Sequence, residues 1–338
     1  MPTQAAYKAR PYAGDADLKA ICDLINLCNQ VDNLEDEPYA TEEDLRLWLH
    51  SPEMDRERNV RLWEDEHGQL VGLVVLQVHP PRTQGGQGQA GAGVVDVRMY
   101  LRTHPQARHG DLDGQMIEWA IDRAKQGSSE YGLPARLGTE LHLDSPRYVA
   151  YRQPLLERYG FRPVRYFFKM ARDLSEPLPE PQFPQGFTLT HSRGAEDAAR
   201  WVEMFNESFV DHWNFHPATV EEHLHWLSSS KYDPARDLIA IAPDGTFAAF
   251  CFCWIDPDDN AHNNRNEGWI DILGTRRGFR RIGLGRAMLL AGMHKLKEDG
   301  AGVAVLGVDA ENPSGALGLY ESVGFRKVNT RAVYHLDL

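Results

Sequence analysis

The chain has 338 residues, 42% hydrophobic and 25% charged, with net charge −13 from 36 Lys and Arg against 49 Asp and Glu. That is the composition of ordinary globular domains, two of them at ~100–200 residues each, and it excludes collagen, a long coiled coil and a disordered tail. It offers no basic footprint for a nucleic-acid duplex and no apolar run of the ~18–20 residues that cross a bilayer.

In chain order, residues 1–4 lack the charged and apolar stretches of a signal peptide. A strand is predicted over 5–11 and an amphipathic helical stretch over 17–29. Two strands then meet at Asp65-Glu66-His67-Gly68, the second an apolar run over 70–78. Segment 81–93 is rich in Gly and Gln and reads as a mobile loop. A strand over 94–101 enters a turn and a helix over 115–125, and strand, helix and strand close the half. Four prolines within the eleven residues 176–186 suit a semi-extended linker. The course then repeats: a strand over 187–191, a helical stretch over 195–209, and strands around Pro243-Asp244-Gly245 with an apolar run over 247–255. A strand over 269–273 leads to a helix over 285–297, and strand, helix and strand follow again. Such alternation implies a mixed α/β sheet in each half.

The four cysteines, Cys22, Cys28, Cys251 and Cys253, have neither zinc spacing nor the density of a disulfide scaffold. Cys251 and Cys253, two apart on a strand, share one face as small core residues. A cytoplasmic protein with no metal is expected.

The two halves are related. Residues 154–174, PLLERYGFRPVRYFFKMARDL, and 318–338, GLYESVGFRKVNTRAVYHLDL, agree at an offset of 164 at Leu155/Leu319, Glu157/Glu321, Gly160/Gly324, Phe161/Phe325 and Arg162/Arg326. The repeat is domain-sized. The expected boundaries are 1–174, a Pro-rich linker over 175–186, and 187–338.

The sharpest chemical feature follows the strand at Asp271. The loop Arg280-Arg281-Ile282-Gly283-Leu284-Gly285-Arg286 has the pattern Arg-x-x-Gly-x-Gly and opens a helix. Helix N-termini offer free N–H groups and a positive dipole end. Glycines admit the backbone to a pyrophosphate, and arginines add charge-assisted bonds. The same pattern also suits an ordinary arginine-decorated turn. It is neither a P-loop, which needs Gly-Lys-Ser/Thr, nor a dinucleotide fingerprint, which needs a third glycine or alanine.

Downstream lies Asn312-Pro-Ser-Gly-Ala316-Leu-Gly-Leu319-Tyr320-Glu321-Ser-Val-Gly324-Phe325. Together, the loop and this segment resemble the acetyl-CoA-binding core of the GNAT N-acetyltransferase superfamily over 187–338, and the repeat extends a weaker match over 5–174. The resemblance implies two tandem α/β (α+β) GNAT-like domains, each a mixed, mostly antiparallel twisted sheet flanked by helices. It implies that Leu273, Gly274 and Thr275 meet the pantetheine arm in a split between strands. The loop 280–286 would hold the pyrophosphate, and Asn312 would contact the cofactor or order the next helix. Tyr320 would protonate the departing thiolate as general acid; packed beside Leu319 and Phe325, it would equally serve as a core aromatic. The N–H of Leu273 would face the oxyanion.

Alignment of this strand puts Trp269 where family members often carry a glutamate base. Asp271, two residues on and so on the same face, is the first candidate base, with Glu267 second. Asp211, His212, Trp213 and Trp269 are candidate acceptor contacts, since 209–217 lies where such folds shape the acceptor pocket. The first half has Leu156 in Tyr320's place. Its loop, His104–Asp113, brings carboxylates where phosphate would sit in either of two registers. It is expected to bind coenzyme A weakly or not at all, and to be structural or to line the acceptor cleft. The function so implied is acetyl transfer from acetyl-CoA to a primary amine of a small molecule by direct attack, in a monomer or homodimer. Acetylation of a protein N-terminus, or a scaffold that has lost catalysis, are the alternatives.

Overall fold

The computed structural model describes residues 7–79, 93–312 and 314–338. The expected Gly/Gln-rich loop therefore lies outside the described residues except at Gly93. Two compact units form, residues 1–166 with 330–338, and residues 167–329.

Unit 1 contains β1 (Lys8–Pro11), α1 (Leu18–Asp32), α2 (Glu42–Leu49), α3 (Arg56–Asn59), β2 (Val60–Glu64), β3 (Leu70–His79), β4 (Val95–Thr103), α4 (Leu112–Ser129), β5 (Ala135–His142) and α5 (Pro146–Arg158). The boundary between units runs through β6 (Arg162–Asp173), whose residues from Phe167 onward belong to unit 2. Unit 2 continues with β7 (Thr188–His191), α6 (Ala198–Phe209), α7 (Val220–Trp226), β8 (Asp237–Ile241), β9 (Phe247–Trp254), α8 (Pro257–His262), β10 (Glu267–Thr275), α9 (Leu284–Glu298), β11 (Val303–Asp309) and α10 (Ala316–Ser322). The last strand, β12 (Arg326–Asp337), returns to unit 1 from Thr330 onward.

The sheet of unit 1 runs β1-β2-β3-β4-β5-β12, and that of unit 2 runs β7-β8-β9-β10-β11-β6. In each, one neighbouring pair is parallel, β4 with β5 and β10 with β11, and the other pairs given are antiparallel. The mixed, mostly antiparallel architecture read from the sequence is the one observed. The compact units differ from the halves 1–174 and 187–338 because each sheet ends on a strand that the simple halving gives to the other. Segment 176–186 belongs to unit 2, where Leu178 and Phe183 pack on the core and His294 Nε2 lies 3.0 Å from the Pro179 carbonyl.

In unit 2, α9 covers one face of the sheet. Met288, Leu289 and Met293 pack there with Cys251, Cys253, Ile270, Ala304 and Leu306, all buried. Gly292 lets this helix come close, since a Cβ there would lie 2.5 Å from Cys251 Sγ. The opposite face carries α6, whose Trp201 and Met204 meet Ile239 and Phe250. Cys251 and Cys253 thus share the α9 face as core thiols, as their spacing predicts. All four cysteines are free and buried. Unit 1 repeats the plan. Its α4 packs Met116 and Ala120 against Val97 and Leu137, and its α1 packs Leu18, Ile21 and Ile25 against Leu62 and Leu73.

Candidate active site

The site is built on β10. Its parallel ladder to β11 holds only from Glu267↔Val303 to Ile270↔Leu306. Beyond that pair β11 stays on β6 as far as Asp309↔Phe167, while β10 stays on β9 as far as Thr275↔Ala249. The two strands therefore part after Ile270 and Leu306, and Leu273, Gly274 and Thr275 have no ladder partner on the β11 side. Such a split leaves backbone donors and acceptors for an extended ligand arm.

A β-bulge sits at the mouth of this split. The register to β9 passes from Ile270↔Cys253 to Ile272↔Phe252, so Asp271 is the extra residue. The bulge breaks alternation: Ile270 packs toward α9, whereas Ile272 packs with the α6 cluster. Bulges re-aim side chains next to functional sites. Asp271 has no ion pair or hydrogen bond among the described residues, and burial in its surroundings pushes its carboxyl up to about 6. Its side chain nonetheless reaches solvent. An unpaired carboxylate near neutrality suits a general base. Gly274 has another reason to be glycine: a Cβ would come within 2.3 Å of Phe250 Cε1 and 3.0 Å of Ser208 Cβ.

Glu267, the second candidate base, is engaged. Lys169 Nζ donates to its carboxylate at 3.1 Å, and Arg265 lies 3.8 Å away. Lys169 also sits 5.0 Å from the centroid of the Trp269 ring. Trp269 is thereby one side of a cation–π pair.

The loop after β10 ends in two left-handed residues, Arg281 (φ 65°) and Gly283 (φ 88°). Gly283 is the N-cap of α9, and no side chain caps its first amides. At Gly285 a Cβ would stand 3.4 Å from Thr275 Oγ1. The uncapped N-terminus of this 15-residue helix faces the mouth of the loop, the arrangement that receives an anion.

Most of the arginines predicted to grip that anion are in use. Arg280 donates from Nε to the Thr275 carbonyl (3.0 Å), from Nη2 to the Ser208 carbonyl (2.8 Å) and from Nη1 to Asp211 (2.8 Å). Arg277 also pairs with Asp211, and Arg276 with Glu203 and Glu207. Arg286 donates to Ser322 Oγ at 2.7 Å. Arg281 is exposed and has no partner among the described residues. Exposed Ile282 and buried Leu284 flank the cap.

Asp211, read as an acceptor contact, is therefore a loop anchor, and Arg277 and then Arg280 hold its carboxyl down at about 2, against the effect of burial. His212 Nδ1 lies 3.0 Å from the Trp213 carbonyl, and Trp213 meets Phe167 with ring centroids 6.0 Å apart. Asn312 builds a turn: its Oδ1 accepts from Ser314 N and Oγ at 2.8 and 2.6 Å, just ahead of α10. Tyr320, on α10, is 8% exposed and packs against Phe325. Its hydroxyl has no hydrogen bond among the described residues. Burial, and secondarily Cys251, pushes its pKa up, so the phenol stays protonated and able to donate.

The loop of unit 1 has the same shape with different contents. Arg108 Nε donates to the Thr103 carbonyl (3.2 Å), and its other nitrogens form a bidentate pair with Asp32 at 2.6 Å. His109 is left-handed (φ 66°). These features align Arg108 with Arg280 at an offset of 172. They settle the open register: Asp111 stands at Gly283's place and Asp113 at Gly285's. Leu156 is fully buried.

Residues 198–325 match the acetyltransferase (GNAT) family, so the chain carries a GNAT acetyltransferase domain and is an acyltransferase. Among relatives, a mycothiol acetyltransferase of Frankia alni is 27% identical over 99% of this chain and 96% of its own. Another mycothiol acetyltransferase, from Segniliparus rotundus, is 27% identical over 70% and 87%. Among solved structures, a GCN5-related N-acetyltransferase from Sphaerobacter thermophilus superposes with TM-score 0.69 at 24% identity, covering 98% of this chain and 95% of that one. A tandem GNAT protein from the clavulanic acid biosynthesis pathway gives TM-score 0.66 at 12% identity over 99% and 98%. These two likenesses show the fold, paired along the whole chain.

Proposed function

We propose that unit 2 transfers the acetyl group of acetyl-CoA to a primary amine of a small molecule by direct attack. The observation that carries this reading is the bulge at Asp271: it sets an unpaired carboxylate at the mouth of a strand split that ends at an uncapped helix. The thioester arm would lie along Leu273–Thr275, with its pyrophosphate at the α9 amides and Arg281. Asp271 would take a proton from the attacking amine, the Leu273 amide would face the developing oxyanion, and Tyr320 would return a proton to the leaving sulfur. Holding amine and thioester together supplies much of the acceleration.

The relatives' name, mycothiol acetyltransferase, points to mycothiol-related chemistry. In layout, and in Ile272-Leu273-Gly274 and Val308-Asp309-Ala310-Glu311-Asn312, the chain is similar to mycothiol synthase. Trp269, however, holds the place of that enzyme's glutamate, and Lys169 covers it. We therefore assign the reaction and leave the acceptor to experiment. Thiol release from acetyl-CoA is to be measured across small amines, amino sugars, polyamines and peptides. Amine-dependent release that falls in Asp271→Asn supports the reading, and its absence with every amine overturns it.

A further inference from the structure

Resting on the transferase reading, a second residue at the mouth of the split bears on which amine is accepted. The β10–β11 ladder ends at Ile270↔Leu306, so the next residues on the two strands are Asp271 and Gly307. Ile270 and Leu306 are both in the α9-side core, which turns Gly307 to the opposite face. On its other side Gly307 pairs with Lys169, the residue that reaches over Trp269.

A glycine inside a strand is unfavourable, and it needs a reason. Positive φ is not the reason, because Gly307 is absent from the left-handed glycines. Close packing is not the reason either. A Cβ on Gly268 would meet Leu296 at 2.7 Å and one on Gly274 would meet Phe250 at 2.3 Å, but a Cβ on Gly307 would meet nothing within 4 Å. Gly307 is exposed between buried Leu306 and Val308. What remains is close approach of a ligand.

We propose that Gly307 is the floor of the acceptor seat and a specificity-determining residue. With the amine at Asp271, the carbon that bears it lies over Gly307, and the missing side chain makes room for a second substituent there. The acceptor class is then a primary amine on a branched carbon, CH(R)(R′)–NH₂, rather than the end of a linear chain.

Isopropylamine and n-propylamine are isomers that differ only in this branching, and both are to be tested by thiol release from acetyl-CoA with wild type, Gly307→Ala and Gly307→Val. The ratio of kcat/KM for isopropylamine to n-propylamine is expected to fall at least about tenfold in Gly307→Val, and less in Gly307→Ala. Tm should hold or rise, because valine suits an exposed strand position better than glycine. An unchanged ratio, or a fall in Tm that marks a packing glycine, overturns the proposal. A wild type silent with both amines leaves the transferase reading to the wider amine screen. The seat is then judged by Gly307→Cys: with every native cysteine buried, one fast-reacting thiol toward dithiobis-nitrobenzoate is expected, and an unreactive one overturns the open floor.

Discussion

Asp113 occupies in unit 1 the position that Gly285 holds in unit 2. Its carboxylate accepts hydrogen bonds from Thr103 Oγ1 at 2.7 Å and Tyr151 OH at 2.6 Å. In unit 2 the corresponding Thr275 stands beside a glycine that has no side chain to bond. Unit 1 thus carries a built-in anion in the first turn of its helix, with Asp111 at the N-cap. Like charges a few ångströms apart repel by ~1 kcal/mol in water and more near a protein surface. Calorimetric titration with acetyl-CoA is expected to find a single site per chain. Arg281→Gly is expected to weaken that site and Asp113→Asn to leave it unaltered. Two sites of equal affinity would refute the assignment.

With Asp271 as the proposed base, its raised carboxyl is expected to set the acid limb of the reaction. The base form is the ionised one, so kcat/KM is expected to climb with pH through about 6 and then level off. Asp271→Asn should lower turnover about 100-fold and abolish that limb. Stability moves the other way. A carboxyl raised above its unfolded value destabilises the fold once pH exceeds it, so Asp271→Asn should melt higher than wild type at pH 8 and equally at pH 3.

How much of this the sequence reveals depends on the range of the interaction. The loop at 280–286 is legible because its glycines and the following helix are neighbours in the chain. The repeat is legible because Gly160/Gly324 and Phe161/Phe325 close equivalent helices. The closing of the unit 1 sheet by residues 331–337 against β5 is not, since strand pairing across such distances leaves no periodic mark. Nor is the use of the arginines. Asp211 reads as an acceptor contact by its place in the chain, yet its partners Arg277 and Arg280 lie 66 and 69 residues away. The bulge at Asp271 is a one-residue slip that any alternating pattern hides.

Tyr320 is expected to act only as a proton donor. Burial keeps its phenol neutral through the working range, so no basic limb below pH ~10 should be assignable to it. Tyr320→Phe keeps the ring contact with Phe325 and removes the hydroxyl. It should lower kcat about 100-fold with little change in the Kd of acetyl-CoA. Equal losses in binding and turnover would mark it as packing alone.

Arg281 and Arg280 are expected to separate binding from architecture. Arg281 is exposed, unpaired among the described residues and left-handed. Arg281→Gly eases the backbone and removes the charge-assisted contact proposed for phosphate, so acetyl-CoA is expected to bind about 10–100-fold more weakly at unchanged Tm. Arg280→Ala severs the ties to Thr275, Ser208 and Asp211. It should lower Tm as well as affinity. Thermal melts with and without acetyl-CoA check both.

Glu37 is expected to make unit 1 acid-sensitive. Its carboxylate pairs with Arg102 at 2.8 Å and His142 at 2.8 Å, and all three side chains are largely buried. Burial alone would raise its pKa, but Arg102, then His142 and Arg331, hold it well below the usual carboxylate range. A depressed carboxyl gives stability that is present above its unfolded value and is lost as pH falls. Glu37→Gln leaves the Arg102 guanidinium without its counter-charge, and removing one partner of a buried pair costs about 3–5 kcal/mol. Urea unfolding at pH 7 should show a loss of that order. The gap to wild type should narrow as pH drops below ~4.3, where the native carboxylate begins to lose its advantage over the unfolded chain. A gap that stays constant with pH would mean that the Glu37 side chain serves by its shape and not by its charge.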